Sequence, residues 1–332
     1  MLKSSIINPT ASSISISGVQ VRFFSDGQNL DYDGKVNLDS YMENLANFGA
    51  ITDVAISHGI PCAMVWIQPC SLFAIYYRFY NKLSSLPTLT DPEMSVELPG
   101  LPLLRAEDLP SYLLPSNPFG SLPKLLSDMF QNMKKYKWVL GNSFFGLERD
   151  AIESMADLCP ISPIGPLVPP SLLGEDEDHD SGTVEMWKRE DTCIEWLNKE
   201  APSSVIYVSF GSISVLSAKQ MECIAKALKN SSRPFIWAPT NAKLIADIFR
   251  NGLRLRANQD GIVSNEEVEK CIREIMDGPK SVELKSNARE LRVAAREAVA
   301  GAGSSDKNIQ LFVDEIIRSC GSIVKGSCND TS

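Results

Sequence analysis

Apolar positions along the 332-residue chain follow two different periods. A continuous apolar run predicts a strand at 63–67, and short, largely apolar runs predict further strands at 19–24, 137–141, 205–210, 234–237 and, more briefly, 253–255. Apolar residues spaced three or four positions apart predict helices at 38–48, 72–80, 148–155, 192–199, 217–229, 240–251, 265–276, 282–299 and 306–319. Ser217 stands where the cap of its helix belongs. Strands that alternate with helices predict α/β domains with parallel sheets.

A polar, proline-rich stretch divides this pattern in two. Residues 161–170 are rich in proline, and residues 175–180 read EDEDHD. Proline and clustered like charge are typical of a solvated linker. We therefore predict an N-terminal domain over 1–170, an acidic linker over 171–190 and a C-terminal domain over 191–332. His179 lies within the linker and is interpreted as an exposed histidine rather than a metal ligand.

Composition narrows the possible functions. The net charge of -9 repels phosphate backbones and anionic lipid, so neither nucleic acid nor a membrane is expected as a partner. The eight cysteines are scattered without a C-x-x-C pair, and His58 and His179 are the two histidines. This pattern indicates free thiols and no metal site. With no continuous apolar segment of a signal peptide at the N-terminus, a cytoplasmic location is expected.

The sharpest local signal is the run SVIYVSFGS at 204–212. An apolar strand ends there in a turn of small residues, and a helix follows. Such a turn places backbone N–H groups at the carboxyl edge of a sheet, where they suit phosphate oxygens. Gly211 permits close approach of the backbone, and Ser212 adds a hydroxyl. A plain strand-to-helix turn explains the same residues equally well.

Several motifs together resemble the plant secondary-product UDP-glycosyltransferases, over nearly the whole chain. The motifs that carry the resemblance are GIP at 59–61, AMVWIQPC at 63–70, VLGNSFFGLE at 139–148, IGPL at 164–167, CIEWL at 193–197, SVIYVSFGS at 204–212, RPFIW at 233–237, PTNAK at 239–243 and GSSDKN at 303–308. The branch that makes glucose esters and phenolic glucosides is the most similar one.

The resemblance implies a GT-B fold, in which two Rossmann-like domains face a cleft. It also implies transfer of glucose from UDP-glucose to a small phenolic or flavonoid-type acceptor, with inversion and without a metal or other cofactor. By the same resemblance, Gly211 and Ser212 are candidates for the donor phosphates. Trp66 and Gln68 border the acceptor side, with core packing the alternative, above all for Trp66. Residues 303–308 are interpreted as structural, at the start of a last helix that packs back on the N-terminal domain.

Three departures from the family pattern change the expectation. The chain opens on residues that match the family after its first helix, and no histidine precedes His58 to serve as general base. Ala50 runs directly into Ile51, where the family has a helix, a strand and the acidic partner of that base. One residue separates Trp237 from Pro239, although most of the family's donor half, with its signature box, lies between them. We therefore assign no catalytic residue and expect both domains to be incomplete.

Three hypotheses follow. The first is a UDP-glucosyltransferase with impaired activity. The second is a catalytically inactive variant of that family, arising from splicing, a gene-model error or a decayed gene, with at most a protein-interaction role. The third is a generic nucleotide-binding protein such as a dehydrogenase, which ranks last because no G-x-G-x-x-G follows a strand. Missing strands are also expected to leave sheet edges uncovered.

Overall fold

The computed structural model describes residues 13–16, 19–22, 48–86, 94–113, 122–168, 195–208, 216–237, 253, 255–258 and 261–326. Its strands are β1 (Ser13–Ile16), β2 (Val19–Arg22), β3 (Cys62–Trp66), β4 (Ser95–Val96), β5 (Leu104–Arg105), β6 (Tyr136–Gly141), β7 (Ile161–Pro163), β8 (Ile206–Val208) and β9 (Phe235–Trp237). Its helices are α1 (Phe48–Ser57), α2 (Cys70–Tyr80), α3 (Leu122–Gln131), α4 (Phe145–Glu153), α5 (Ala218–Ser231), α6 (Asn265–Met276), α7 (Lys280–Val299) and α8 (Ser304–Gly326). Within these ranges, no helix combines the length and the apolar character needed to cross a membrane.

The N-terminal half is built on a three-stranded parallel sheet with the strand order β3-β6-β7. Trp66 at the end of β3 pairs with Gly141 at the end of β6, and Gly141 pairs with Pro163 at the end of β7. The three strands therefore end level with one another. Helix α2 packs against both α3 and α4, and α4 reaches β7. This layered arrangement is what alternating strands and helices predict.

An aromatic cluster forms the core between α2, α3 and β3. Phe73 and Tyr76 are 0% and 1% exposed and belong to the core. The Trp66 ring meets Phe73 and Phe130 edge-on, with centroids 5.5 and 5.6 Å apart. Burying each large side chain contributes about 2 kcal/mol, and the edge-on geometry adds about 1 kcal/mol per pair. The cluster thus holds α2 against the sheet.

Gly141 determines how closely α2 approaches the sheet. A Cβ at this position would lie 2.8 Å from Cys70 Sγ and 2.9 Å from Ile161 Cγ2. Any side chain would therefore push the first turn of α2 away from the end of β6. The close approach requires glycine here.

The C-terminal half contains one βαβ unit, in which α5 connects the parallel strands β8 and β9. The Ser217 side chain accepts a hydrogen bond from the Gln220 N–H at 3.2 Å, which confirms the predicted cap. The Gln220 amide also donates to Val263 O at 3.0 Å and accepts from Val263 N at 2.8 Å. Helix α5 packs on α6 through the buried residues Ile224, Ala227, Leu228 and Val268.

Helix α8 packs back on the N-terminal half. The Ser305 hydroxyl, fully buried, donates to Gly165 O at 2.6 Å, and Asn308 Nδ2 donates to Pro163 O at 2.7 Å. Further along the helix, Glu315 accepts from Trp138 Nε1 at 2.6 Å. These contacts confirm that residues 303–308 are structural and that the last helix returns to the first half.

Most predicted elements are found within a few residues of their expected bounds, and α6 occupies 265–276 as predicted. Two differ. The short strand expected at 253–255 is not formed at Leu253 or Leu255, so that prediction is wrong there. Helix α3 was not predicted, although Leu122, Leu126 and Phe130 are spaced four apart and buried. The predicted helices at 38–48 and 240–251 lie outside the described residues, apart from Phe48. So do the linker at 171–190 and the start of the helix at 192–199.

Replacing Ser305 with alanine is expected to lower the free energy of unfolding by about 1–2 kcal/mol, because the buried Gly165 carbonyl loses its donor. Urea denaturation followed by circular dichroism measures the change. Ser286→Ala is the matched control, since the Ser286 hydroxyl bonds Glu290 on the exposed face of α7. Equal stability of the two variants would show that α8 is not anchored through Ser305.

Candidate functional site

The carboxyl ends of β3, β6 and β7 meet at one edge of the N-terminal sheet. Ligands of parallel α/β sheets bind beyond this edge, which makes it the candidate site. Residues 67–69 follow β3, residues 142–143 follow β6, and residues 164–166 follow β7. The edge is therefore formed by three turns that the parallel pairing brings together.

The buried carboxylate of Glu148 organises the first two of these turns. It is 3% exposed and accepts from the backbone N–H groups of Cys70 and Ser71, both at 2.9 Å. The hydroxyls of Ser71 and Ser143 also donate to it. Helix α2 has Pro69 as its cap residue, which offers no side-chain hydrogen bond. Glu148 therefore caps α2 from another helix, where a negative charge is favoured by the helix dipole.

The Glu148 backbone departs from helical geometry to reach this position. Its φ of -137° and ψ of 37° interrupt α4, so the helix begins with a kink. Two donors from one helix end and two hydroxyls engage both of its carboxylate oxygens. This carboxylate is thus committed to the fold and has no oxygen left for acid–base work on a substrate.

The Cys70 thiol beside this carboxylate is not a nucleophile. Burial, followed by the negative charge of Glu148, raises the pKa of Cys70 to about 12, while the hydrogen bond with Ser143 opposes the shift. At neutral pH the sulfur therefore stays protonated. Since the thiolate is the reactive form, Cys70 acts as a packing residue.

The two predicted acceptor-side residues occupy different environments. Trp66 is 7% exposed, and its indole N–H donates to Pro69 O at 3.0 Å, so its polar atom is used within the turn. Gln68 is half-buried, and its amide makes no hydrogen bond to another described residue. Its neighbour Ile67 is 73% exposed. At this edge, Gln68 is the predicted residue whose polar group remains available to a ligand.

The part of the edge next to β6 and β7 is filled by the protein itself. Asn142 donates its N–H to Trp66 O at 2.8 Å, and its Oδ1 accepts from the Leu167 N–H at 2.8 Å. A Cβ on Gly165 would lie 2.6 Å from Asn142 Oδ1, so no larger residue fits there. The polar cluster of Asn142, Ser143 and Glu148 was missed as a functional unit. Its signal was the pair of polar residues directly after an apolar strand.

His58 lies away from this edge. It belongs to the exposed turn between α1 and β3, before the amino end of β3. Gln68 follows the other end of the same strand, which at about 3.3 Å per residue separates the two by roughly the strand length of 16 Å. Within the described ranges, no group of histidine, cysteine and acidic side chains forms a candidate metal site.

The donor-side candidates follow β8. Val208 pairs with Trp237, so the carboxyl ends of β8 and β9 also meet at one edge. Gly211 and Ser212 come directly after that edge in sequence but lie outside the described residues. Their role in binding the phosphates of the donor stays a prediction, which agrees with the βαβ unit formed by β8, α5 and β9.

A comparison with curated proteins and one with solved structures agree, while no protein-family model matches the chain. The chain is 36% identical over 391 residues to UDP-glycosyltransferase 84B2 from Arabidopsis thaliana, covering 90% of this chain and 88% of the relative. It is 31% identical to limonoid UDP-glucosyltransferase from Citrus unshiu, covering 93% and 80%. The crystal structure of Os79 from O. sativa in complex with U2F and trichothecene aligns with a TM-score of 0.70 and 23% identity, covering 88% and 87%. This structural similarity confirms the GT-B architecture.

Replacing Glu148 with glutamine is expected to lower the free energy of unfolding by about 3 kcal/mol, because an amide NH₂ then faces groups that donate hydrogen bonds. Urea denaturation measures the change. Glu153→Gln on the same helix is the control, since Glu153 is exposed and pairs only with Arg149, and about 0.5 kcal/mol is expected. Equal stability of the two variants would contradict the capping role of Glu148.

Proposed function

Because this chain belongs to the plant UDP-glycosyltransferases, we propose that it acts on UDP-glucose and a small phenolic or carboxylic acceptor, transferring glucose far more slowly than its complete relatives. Gly211 and Ser212 hold the donor phosphates in this proposal. Gln68 contacts the acceptor, and Trp66 fixes the turn that carries Gln68. The limonoid relative and the trichothecene-bound Os79 support an acceptor of small-metabolite size. The free cysteines among the described residues support a reducing, cytosolic location.

One observation supports the reduced rate of transfer. The C-terminal half, which would bind the donor, is short. Residues 235–237 form β9, and PTNAK begins at 239, only one residue later. The described part of this half contains two strands, β8 and β9, where a doubly wound nucleotide site uses more. Fewer strands provide fewer turns at the carboxyl edge, and hence fewer groups that can grip the uridine and the sugar.

The alignment with the Arabidopsis relative supports the same view. It spans 391 positions, whereas 90% of this 332-residue chain takes part, so about 90 positions of the relative have no counterpart. Losing donor contacts that strengthen in the transition state lowers the rate of transfer.

The second candidate is a catalytically inactive member of the same family. It is favoured by the continuity of α1, which runs through Ala50 and Ile51 as one helix from Phe48 to Ser57. The chain thus joins two distant family segments without disturbing local structure. The N-terminal half can therefore fold whether or not the protein turns over a substrate.

Donor binding separates the two candidates. Isothermal titration with UDP and UDP-glucose is expected to show saturable heat with a dissociation constant near the millimolar range, and glucose transfer to a benzoic or phenolic acid at least about 100-fold slower than in a full-length relative. Ser212→Ala should weaken UDP binding further, and Ser286→Ala, on α7, should leave it unchanged.

Each alternative outcome has a clear meaning. No heat at millimolar UDP would overturn the proposal in favour of the inactive member. Transfer at the rate of a full-length relative would contradict both candidates, because it would show that the short donor half is sufficient.

A further inference from the structure

Helix α7 presents a row of basic side chains to the solvent. The helix packs against α4, α6 and α8, and its packed side includes the buried Ala298 and Ala294, which lies beside Gly146 of α4. With 3.6 residues per turn, four basic positions fall together on roughly the opposite side of the helix. All four side chains are exposed. This basic face consists of Lys285, Arg289, Arg292 and Arg296.

The charges of the basic face are not balanced within the helix. Its members follow one another at intervals of four, three and four positions, so like charges are neighbours on the helix surface and repel. The acidic residues of α7 are Glu283, Glu290 and Glu297, and none of them stands three or four positions from a member of the basic face. An ion pair along the helix needs that spacing. The repulsion is therefore not relieved by α7 itself.

The rest of the described chain does not balance these charges either. The ion pairs between described residues, such as Lys135 with Asp53 and Arg233 with Asp277, involve no member of the basic face. The net charge of the whole chain is -9, so carboxylates outnumber basic groups elsewhere. An exposed and unpaired row of cations in such a chain is suited to an acidic peptide.

One segment of the chain has the complementary charge and length. Residues 175–180, here called the acidic segment, contain five carboxylates in six positions and lie outside the described residues. The basic face extends over eleven residue steps from Lys285 to Arg296, roughly 16 Å along the helix. Six residues of extended chain span up to roughly 20 Å. The two rows of charge therefore match in length.

The described chain also stops close to the end of the basic face. Val168 is the last described residue before the acidic segment, and three residues earlier Gly165 O accepts from the Ser305 hydroxyl at 2.6 Å. Ser305 lies in the first turn of α8, and Arg296 lies in the last turn of the preceding helix. Glu175 follows Val168 by seven residues, which span up to roughly 25 Å. The acidic segment is thus within reach of the basic face.

We propose that the acidic segment docks along the basic face of α7 in the same molecule. A single exposed ion pair contributes little, but several pairs on one segment act together. An external polyanion would have to approach a chain of net charge -9, whereas the acidic segment is already attached. Docking fixes the linker between the two halves to the C-terminal helices, and added salt weakens it by screening. This contact is independent of whether the chain binds a donor.

Zero-length cross-linking of the full chain with a water-soluble carbodiimide tests the contact, because the reagent joins a lysine amine only to a carboxylate that touches it. Mass spectrometry is expected to find Lys285 joined to residues 175–180 at low salt. Lys135 and Asp53, whose charged groups lie 2.7 Å apart, provide the internal positive control. About 0.5 M NaCl should lower the yield at Lys285 at least about threefold.

A pair of double variants separates the basic face from net charge. Arg289→Gln with Arg292→Gln keeps Lys285 and keeps good helix formers, and it should lower the Lys285 cross-link at least about threefold. Cleavage by a glutamate-specific protease within 175–180 should become faster in the same variant. Arg256→Gln with Arg273→Gln removes two exposed arginines outside α7 and should behave like the parent chain.

Three results would overturn the proposal. The first is no cross-link from Lys285 to the acidic segment in a sample where Lys135 is joined to Asp53. The second is an equal yield at Lys285 in the two double variants. The third is a cross-link that forms only between isotopically labelled and unlabelled chains in a mixture, which would assign the acidic partner to a second copy.

Discussion

The carboxylate of Glu148 accepts hydrogen bonds from two backbone N–H groups and two hydroxyls in the interior of the N-terminal half. A buried charge is tolerated only when it is bonded in this way, since leaving it unsatisfied costs several kcal/mol. The first turn of α2, the turn after β6 and the kink in α4 must therefore adopt their positions together, so that all four hydrogen bonds form. These positions fix the shape of the carboxyl edge of the sheet, where the candidate site lies.

Different parts of this carboxyl edge consequently have different roles. Its centre is occupied by Glu148, Asn142 and Gly165, where polar groups bond the turns to one another and a Cβ on Gly165 would clash with Asn142. Its outer side, next to β3, presents Gln68 and the exposed Ile67. A small acceptor would meet the sheet there, beside the edge that no described strand covers. The open edge and the available amide thus belong to the same region.

The two halves of the chain differ in how complete they are. The N-terminal half has an aromatic core, a capped helix and a returning α8 held by the buried Ser305. The C-terminal half has one βαβ unit and a helical pair joined by the Gln220 amide. Within the described residues, the N-terminal half is therefore supported by many contacts, whereas the sheet of the C-terminal half depends on a single parallel pair of strands. This asymmetry explains why the family is easier to recognise than an activity.

The sequence by itself determined the period of most elements, the Ser217 cap and the family motifs. Periodicity and capping are local properties, because they follow from backbone geometry over a few residues. Helix α3 was missed although its buried positions Leu122, Leu126 and Phe130 are spaced as in a helix. Only the tertiary structure decided that Glu148 caps a helix 78 residues away in sequence. It also decided that the Trp66 indole N–H bonds Pro69 O, and that among the described strands β3 has β6 as its one neighbour. Such contacts depend on which strands become neighbours in the assembled sheet, and no local pattern carries that information.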